Sequence, residues 1–356
     1  MNKSWWKITS ILILVYVFIA GMLGPLKPGI IRVDPQTVST GQELVLQVEG
    51  YNSHYLEAGD AIRAWLKLDD ERALGATSVQ SKSETQLEAV FAIPQYLPVD
   101  KRSQDFVLVV DNAVDGVSLL PSAVFVRQDS IDPDMGLKVW KNTPIEGLHY
   151  LKRLTFPFRN ILQETIRNTY FHVALWLAMV TLFMASLYHS IKYLRKGLPD
   201  NDRWAVAYTT VGSFYGVLGL VTGAIWATSA WGKPWSWDVK QTMTLIALFI
   251  YLAYFVLRAA FEDPEKRGRL SAVYNIFAFA ALIPLIYVIP RLTDSLHPGN
   301  GGNPAFGSQD LDNTMRMVFY PAVIGWTLLG VWIATVSFRV ERLHQRMLEG
   351  DLREGD

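Results

Sequence analysis

The sequence contains no cysteine. Disulfide scaffolds, cysteine-based zinc sites, iron–sulfur clusters and thiol catalysis are therefore excluded. Any chemistry must come from histidines, carboxylates, basic side chains or aromatic rings. The lack of thiols leaves the compartment of a water-exposed part open, because it suits an oxidising and a reducing space equally.

The sequence also lacks net charge, since 33 Lys and Arg balance 33 Asp and Glu in 356 residues. No long basic tract is present, so nucleic acid is not expected as a partner. The P-loop, G-x-S-x-G and H-E-x-x-H signatures are absent as well. An ATP-driven pump or a hydrolase would therefore need a partner subunit or a site of another kind.

The sequence is instead rich in hydrophobic residues, which make up 50% of it. They gather in runs of about 20, the length an α-helix needs to cross a bilayer core of roughly 30 Å. An α-helical polytopic membrane protein with six transmembrane helices is predicted, at 8–24, 170–191, 204–228, 242–261, 271–290 and 317–338. The first run is interpreted as a retained helix rather than a signal peptide, because no clear A-x-A-like site precedes Leu26.

Residues 30–128 have a different pattern of apolar and polar residues, which predicts an inserted all-β domain. Short runs such as ELVLQVEGY and DFVLVVDN alternate partly between apolar and polar residues, with Gly, Pro, Asp and Asn between them. In fold, the segment resembles the sandwich of immunoglobulin-like (Ig-like) modules. The predicted organisation is a first transmembrane helix in 1–29, the insert in 30–128, a connector in 129–169, a five-helix membrane domain in 170–340 and a tail in 341–356. The end of the connector, LKRLTFPFRNILQETIRN, is either an amphipathic helix on the membrane surface or a plain linker.

Basic residues divide the loops between two membrane faces. Loop 192–203, the 258–269 region and the tail from Arg339 each carry four Lys or Arg, whereas 229–241 and 291–316 carry two each. By the positive-inside rule, both termini are expected in the cytoplasm. The insert and the two weakly charged loops are then expected to share the outer face.

Two histidines fall at that outer face. His172 lies just inside the second predicted helix, where an ionisable group is costly and suggests a function, unless it belongs to an interfacial aromatic belt. His297 stands in the loop after the fifth helix. The remaining histidines are assigned to the insert, the connector and the cytoplasmic side: His54, His149, His189 and His344.

The stretch WGKPWSWD places Trp231, Trp235 and Trp237 within seven residues of the other outer loop. These rings would form either an interfacial anchor belt or the apolar walls of a site for a flat ligand. Two neutral imidazoles can supply axial nitrogens to a heme iron, so His172 and His297 beside this stretch predict a heme platform.

Heme also carries two propionates, for which the site should offer cations. The candidates are Arg167 and Lys240, with Arg291 and Arg316 as weaker ones. Each of them could equally bind lipid headgroups. Asp238 either orients the loop through hydrogen bonds or pairs with a cation.

WGKPWSWD resembles the W-G-x-W-W-x-W-D signature of the heme-handling proteins of cytochrome c assembly. RNTYFHVALW is similar to the segment that holds the first histidine of that family, and SLHPG with MRMVFYPAVIGWTLLG to the second histidine loop and last helix. The resemblance covers about 1–25 and 150–340, and the short six-helix form matches the heme exporter protein C family better than the longer synthetases.

This resemblance implies binding of heme b at the periplasmic face of a bacterial inner membrane and its transfer to a periplasmic heme chaperone. It also implies ATP-binding transporter subunits and a small membrane subunit as partners, and the insert is a hypothetical docking module beside the heme loop. Carried over by position, the resemblance implies His172 and His297 as iron ligands, Trp231, Trp235, Trp237 and Asp238 as the platform, and Arg167 as the arginine that precedes the first histidine.

Three residues depart from the family pattern. Pro234 replaces a tryptophan, Ala174 a proline, and Lys240 an arginine, which keeps the charge but loses the bidentate fork. The expected mechanism is binding, without bond-making catalysis. Two alternatives stay open: a heme lyase that attaches heme to a C-x-x-C-H peptide, and a membrane-anchored scaffold that acts through its Ig-like module.

Overall fold

The computed structural model describes residues 4–151, 153–160, 162–297 and 311–354. The chain divides into two compact units. The helical unit comprises Met1–Gly24 and Thr165–Asp356, and the sandwich unit comprises Pro25–Glu164.

The sandwich unit is built from two β-sheets. Its strands are β1 (Gly29–Asp34), β2 (Thr37–Ser39), β3 (Glu43–Tyr51), β4 (Arg63–Lys67), β5 (Ala73–Gly75), β6 (Ser78–Ser81), β7 (Gln86–Ala92), β8 (Ser103–Asn112) and β9 (Gly116–Arg127). One sheet has the order β1-β3-β7-β6 and the other β2-β9-β8-β4-β5. The prediction of an inserted all-β sandwich is confirmed, and the strand order agrees with the immunoglobulin arrangement.

The alternation in the sequence buries one face of each sheet. In β3, Leu44, Leu46 and Val48 are buried, while the side chains between them are exposed. Across the antiparallel pair, Leu44 lies opposite Phe91 and Leu46 opposite Ala89, and all four are buried. Because side chains of a strand point alternately to its two faces, this pattern creates the core between the sheets.

The segment predicted as a connector continues along the sandwich unit. It contains α3 (Pro133–Val139), which follows the short helix α2 (Tyr55–Ala58) in chain order. Residues 153–160 are irregular and include a β-bridge between Leu26 and Phe156. The following helical stretch, Gln163–Tyr170, is a 3-10 helix.

The helical unit agrees with the predicted membrane protein. Its helices are α1 (Trp5–Leu23), α4 (His172–Lys196), α5 (Pro199–Trp231), α6 (Val239–Ala259), α7 (Pro264–Ile283), α8 (Ile289–Leu292) and α9 (Asn313–Glu354), and a π-helical turn, Pro284–Val288, joins α7 to α8. Within the described ranges, six helical segments are long and apolar enough to cross a membrane. The six-helix prediction is therefore confirmed.

Helices α4 and α5 pack through a row of large side chains on a row of glycines. The glycines are spaced by four, three and four residues, and the α4 side chains have the same spacing. The pairs are Phe183 with Gly212, Met179 with Gly216, Trp176 with Gly219 and His172 with Gly223. Small residues let helices approach closely in lipid, where packing replaces the hydrophobic effect. This row seats His172 against α5.

Gly219→Ala should lower the thermal unfolding midpoint of the purified chain. A Cβ at Gly219 would lie 2.6 Å from the ring of Trp176, and overpacking of this kind costs about 1–3 kcal/mol. Gly216→Ala is the matched control, because its Cβ would meet Leu248 Cδ1 at 3.1 Å and Met179 Sδ at 3.3 Å. Both atoms lie in the outer part of flexible side chains, and alanine favours the helix. Equal midpoints for the two variants in one detergent would contradict the close packing of Trp176 on Gly219.

Candidate functional site

The tryptophan loop, defined as residues 231–238, is bounded by two helix-end signals. Gly232 ends α5 in the left-handed conformation, with φ of 75°. Asp238 caps α6, its Oδ1 accepting the backbone N–H of Lys240 at 2.9 Å. Between them, Trp237 has φ of 58° and a 73% exposed side chain. A bulky residue in this backbone region is held there by its surroundings, so the loop presents one ring outward.

The Asp238 carboxylate ties the tryptophan loop to the segment after α8. It accepts hydrogen bonds from Ser295 Oγ at 3.0 Å, from the Leu296 backbone N–H at 2.8 Å and from His297 Nδ1 at 2.7 Å. The side chain is only 2% exposed. These contacts match the first of the two roles predicted for Asp238, a residue that orients its surroundings through hydrogen bonds.

This pair carries one negative charge at neutral pH. Burial opposes ionisation of Asp238, but the Leu296 N–H and the adjacent His297 hold the pKa of the carboxyl below its ordinary value. Burial lowers the pKa of His297, although Asp238 acts in the opposite direction. His297 is therefore a neutral imidazole with its proton on Nδ1, and its Nε2 lone pair is available to a metal.

His172 is in a comparable state at the first residue of α4. Its Nδ1 lies 3.0 Å from Thr222 Oγ1. The Thr222 hydroxyl donates toward the carbonyls of Leu218 and Gly219, at 2.9 and 3.1 Å, so it accepts from Nδ1–H. The unprotonated nitrogen of a neutral His172 is then Nε2, as in His297.

Both histidines line one cavity of about 150 Å³ in the helical unit. Its other lining residues are Trp176, Gly219, Leu220, Gly223, Ala224, Trp235, Lys240, Gln241, Thr244 and Ile286. The volume is below the roughly 300–1,000 Å³ of pockets that enclose drug-sized ligands. The cavity formed by the described residues is therefore too small to enclose a drug-sized ligand completely.

The structure brings most of the predicted site residues together. Trp231 packs edge-on against His297, with ring centroids 4.8 Å apart. Trp235 and Lys240 line the cavity, and Trp237 contacts Trp235 edge-on at 5.7 Å.

Arg167 is placed elsewhere. Its Nη1 donates to the carbonyls of Gly21 and Gly24, at 2.9 and 2.7 Å, at the end of α1. It is not among the described residues that line the cavity. A cation at a helix C-terminus satisfies carbonyls that have no partner in the helix.

Sequence reasoning missed Thr222, Trp226 and Ser295. Thr222 accepts from His172, Trp226 lies 5.9 Å from the His297 ring, and Ser295 Oγ accepts the His297 backbone N–H at 3.1 Å. The signal for Thr222 was its place beside Gly223 in the glycine row, and for Ser295 its place two residues before His297.

A family model described as heme exporter protein C matches residues 153–352. The heme exporter protein C of Bradyrhizobium diazoefficiens is 29% identical over 188 residues, which cover 51% of this chain and 69% of that protein. The proteins of the same name from Paracoccus denitrificans and Haemophilus influenzae are 26% and 28% identical, over 183 and 140 residues. These matches cover 51% and 39% of this chain, and 76% and 56% of the relatives.

Acidification should weaken the tie between the tryptophan loop and His297. Because folding lowers the pKa of His297, its contribution to stability is present above the unfolded pKa of about 6.5. It is lost as the pH falls from there through the folded pKa. Asp238 stays ionised in this range, since its pKa is lowered.

The measurement is the thermal unfolding midpoint from about pH 7.5 to about pH 5. His297→Asn keeps an N–H donor for Asp238 but does not titrate, so its midpoint should fall less than that of the unchanged protein. His344→Asn removes an exposed histidine of α9 and should follow the unchanged protein. A His297→Asn variant with the full pH dependence would contradict the assignment.

Proposed function

The chain belongs to the heme exporter protein C family, and we propose that it binds heme b and presents it to a second protein in cytochrome c maturation. One observation carries the proposal: two histidines whose Nδ1 atoms are hydrogen-bonded line one cavity with Trp176 and Trp235. The relatives are named heme exporters. The cargo is therefore a flat apolar ring with an iron at its centre.

The residues present fit this cargo. A histidine that ligates a metal commonly donates its other N–H to a carboxylate, carbonyl or water, which fixes the ring and raises its basicity. His297 donates to the carboxylate of Asp238 and His172 to the hydroxyl of Thr222. Trp176 and Trp235 supply flat apolar surface. The two histidine nitrogens would thus be suited to hold a heme iron.

The chain's own residues hold the cargo rather than convert it. His172 and His297 would ligate the iron, and Lys240, on the cavity wall, would pair with a propionate. Asp238 orients the ring of His297 through the Nδ1 hydrogen bond, burial keeps that imidazole neutral, and Gly223 seats the ring of His172. No bond-making step is required for binding and release, so no catalytic residue is proposed.

Arg167 remains a predicted propionate partner, although its position in the structure argues against that role. Its Nη1 is bonded to the carbonyls of Gly21 and Gly24. Lys240 is better placed, because it lines the cavity itself. The exposed ring of Trp237 is proposed as the part of the tryptophan loop that reaches past the rim toward the cargo.

The proposed location is the periplasmic face of a bacterial inner membrane, with both termini in the cytoplasm. Its support is the excess of basic residues in 192–203 and 258–269 over 229–241 and 291–316. A periplasmic heme chaperone, ATP-binding transporter subunits and a small membrane subunit are proposed partners on family membership alone.

His172→Ala and His297→Ala should each lower the heme content of the purified protein and shift or weaken its Soret band. Each change removes one nitrogen ligand of the iron, and we expect a loss of affinity on the order of ten-fold or more. The assay is an absorption spectrum with a heme determination after purification from membranes. His189→Ala is the control, because His189 lies on the same helix but lines a different cavity. Unchanged content and spectra in both site variants would refute ligation by the histidine pair.

Asp238→Asn should weaken heme binding by about 10- to 100-fold, the usual effect of losing the partner of a metal-bound histidine. A positioning role also predicts a changed electron paramagnetic resonance spectrum of the ferric heme, because the basicity of His297 changes. Asp294→Asn is the matched control, an exposed carboxylate three residues before His297. A weakened site with an unaltered spectrum would assign Asp238 a purely structural role.

A further inference from the structure

A second cavity, of about 530 Å³, lies toward the other end of α4. His189, which lines it, follows His172 by 17 residues on that helix, about 25 Å along the axis. The end of α4, the start of α5 and the C-terminal part of α9 form its walls. The two cavities have no lining residue in common among those described.

Positive charge dominates this second cavity. Its lining includes four cations, Lys192, Arg203, Arg342 and Arg346. Within the described part of the chain, Asp200 is the single carboxylate that lines it. This excess of positive over negative side chains favours an anionic ligand.

The carboxylates at the start of α5 are already paired. Asp200 accepts from Arg203 Nη1 at 2.5 Å. Asp202 accepts two hydrogen bonds from Arg258, at 2.7 and 2.9 Å, in the bidentate geometry of an arginine–carboxylate pair. Of the acidic side chains that the structure describes, none forms an ion pair with Lys192, Arg342 or Arg346. Among the described residues, these three cations therefore have no carboxylate partner at the cavity.

The walls of this cavity are preorganised. The Trp204 ring is stacked on Phe338 with centroids 4.1 Å apart and planes within 7°, and lies 5.9 Å from His189 on α4. Arg203 Nη2 donates to Gln345, which joins α5 to α9. The first turn of α5, from Pro199, also lines the cavity, and the N-terminal end of a helix favours anions.

We infer that this cavity binds a phosphate group, carried either by an anionic phospholipid or by a soluble phosphate ester. Arginine forks match phosphate oxygens, and several cations around one cavity suit a ligand with concentrated negative charge. The helical segments long and apolar enough to cross a membrane end at Lys196 and begin again at Pro199, and the ends of such segments are where lipid headgroups are expected. A phosphate at this place would bridge α4, α5 and α9.

The test uses the full purified chain in detergent and the shift of its thermal unfolding midpoint. The added compounds are short-chain phosphatidylglycerol, short-chain phosphatidylcholine and inorganic pyrophosphate. The site variant is Arg342→Gln with Arg346→Gln, two exposed residues of α9. The matched control is Arg195→Gln with Arg339→Gln, which removes two exposed charges near the same end without touching the cavity lining.

Saturable stabilisation should need about ten-fold more ligand in the site variant, the effect of losing charge-assisted hydrogen bonds. The control should change by less than about two-fold, as exposed charges do. A response to phosphatidylglycerol but not to phosphatidylcholine identifies a lipid source, and a response to pyrophosphate alone identifies a soluble one. No saturable stabilisation by any of the three compounds, equal losses in both double variants, or equal stabilisation by the two lipids would overturn the proposal.

Discussion

The Asp238 carboxylate accepts hydrogen bonds from four groups: the N–H of Lys240 at the start of α6, and Ser295 Oγ, the Leu296 N–H and His297 Nδ1 after α8. A buried carboxylate stays ionised only when such donors replace its lost hydration. The same bonds join two loops that are 57 residues apart in sequence, from Asp238 to Ser295. The tautomer of His297 and the position of its ring both depend on this one group.

His172 is positioned by a different physical means. In lipid, apolar side chains gain little from leaving the solvent, so helices associate through close packing. The glycines of α5 accommodate the α4 side chains, and Gly223 leaves room for the His172 ring itself. Packing on one side and a buried carboxylate on the other hold the two histidine rings in place. Such preorganisation lowers the cost of binding.

Most of the fold was readable from the sequence because its signals are local. Apolar runs of about 20 residues have one stable solution in a bilayer, a helix. Alternation in ELVLQVEGY corresponds residue for residue to β3. Gly232 and Asp238 are the ordinary stop and start signals of helices, and they delimit the tryptophan loop. The π-helical turn at Pro284–Val288 was not predicted, although Pro284 at its start is a local signal of a disturbed helix.

The sequence by itself determined which residues share one end of the helical unit, because the length and order of the helices place them there. His172, His297, Trp235 and Lys240 line one cavity accordingly. Only the tertiary structure decided what each side chain contacts. Arg167 is five residues from His172, yet its guanidinium reaches the carbonyls at the end of α1. Long side chains and distant loops come into contact through packing. The spacing of residues along the sequence does not reveal the direction of a side chain or its partner across a helix interface.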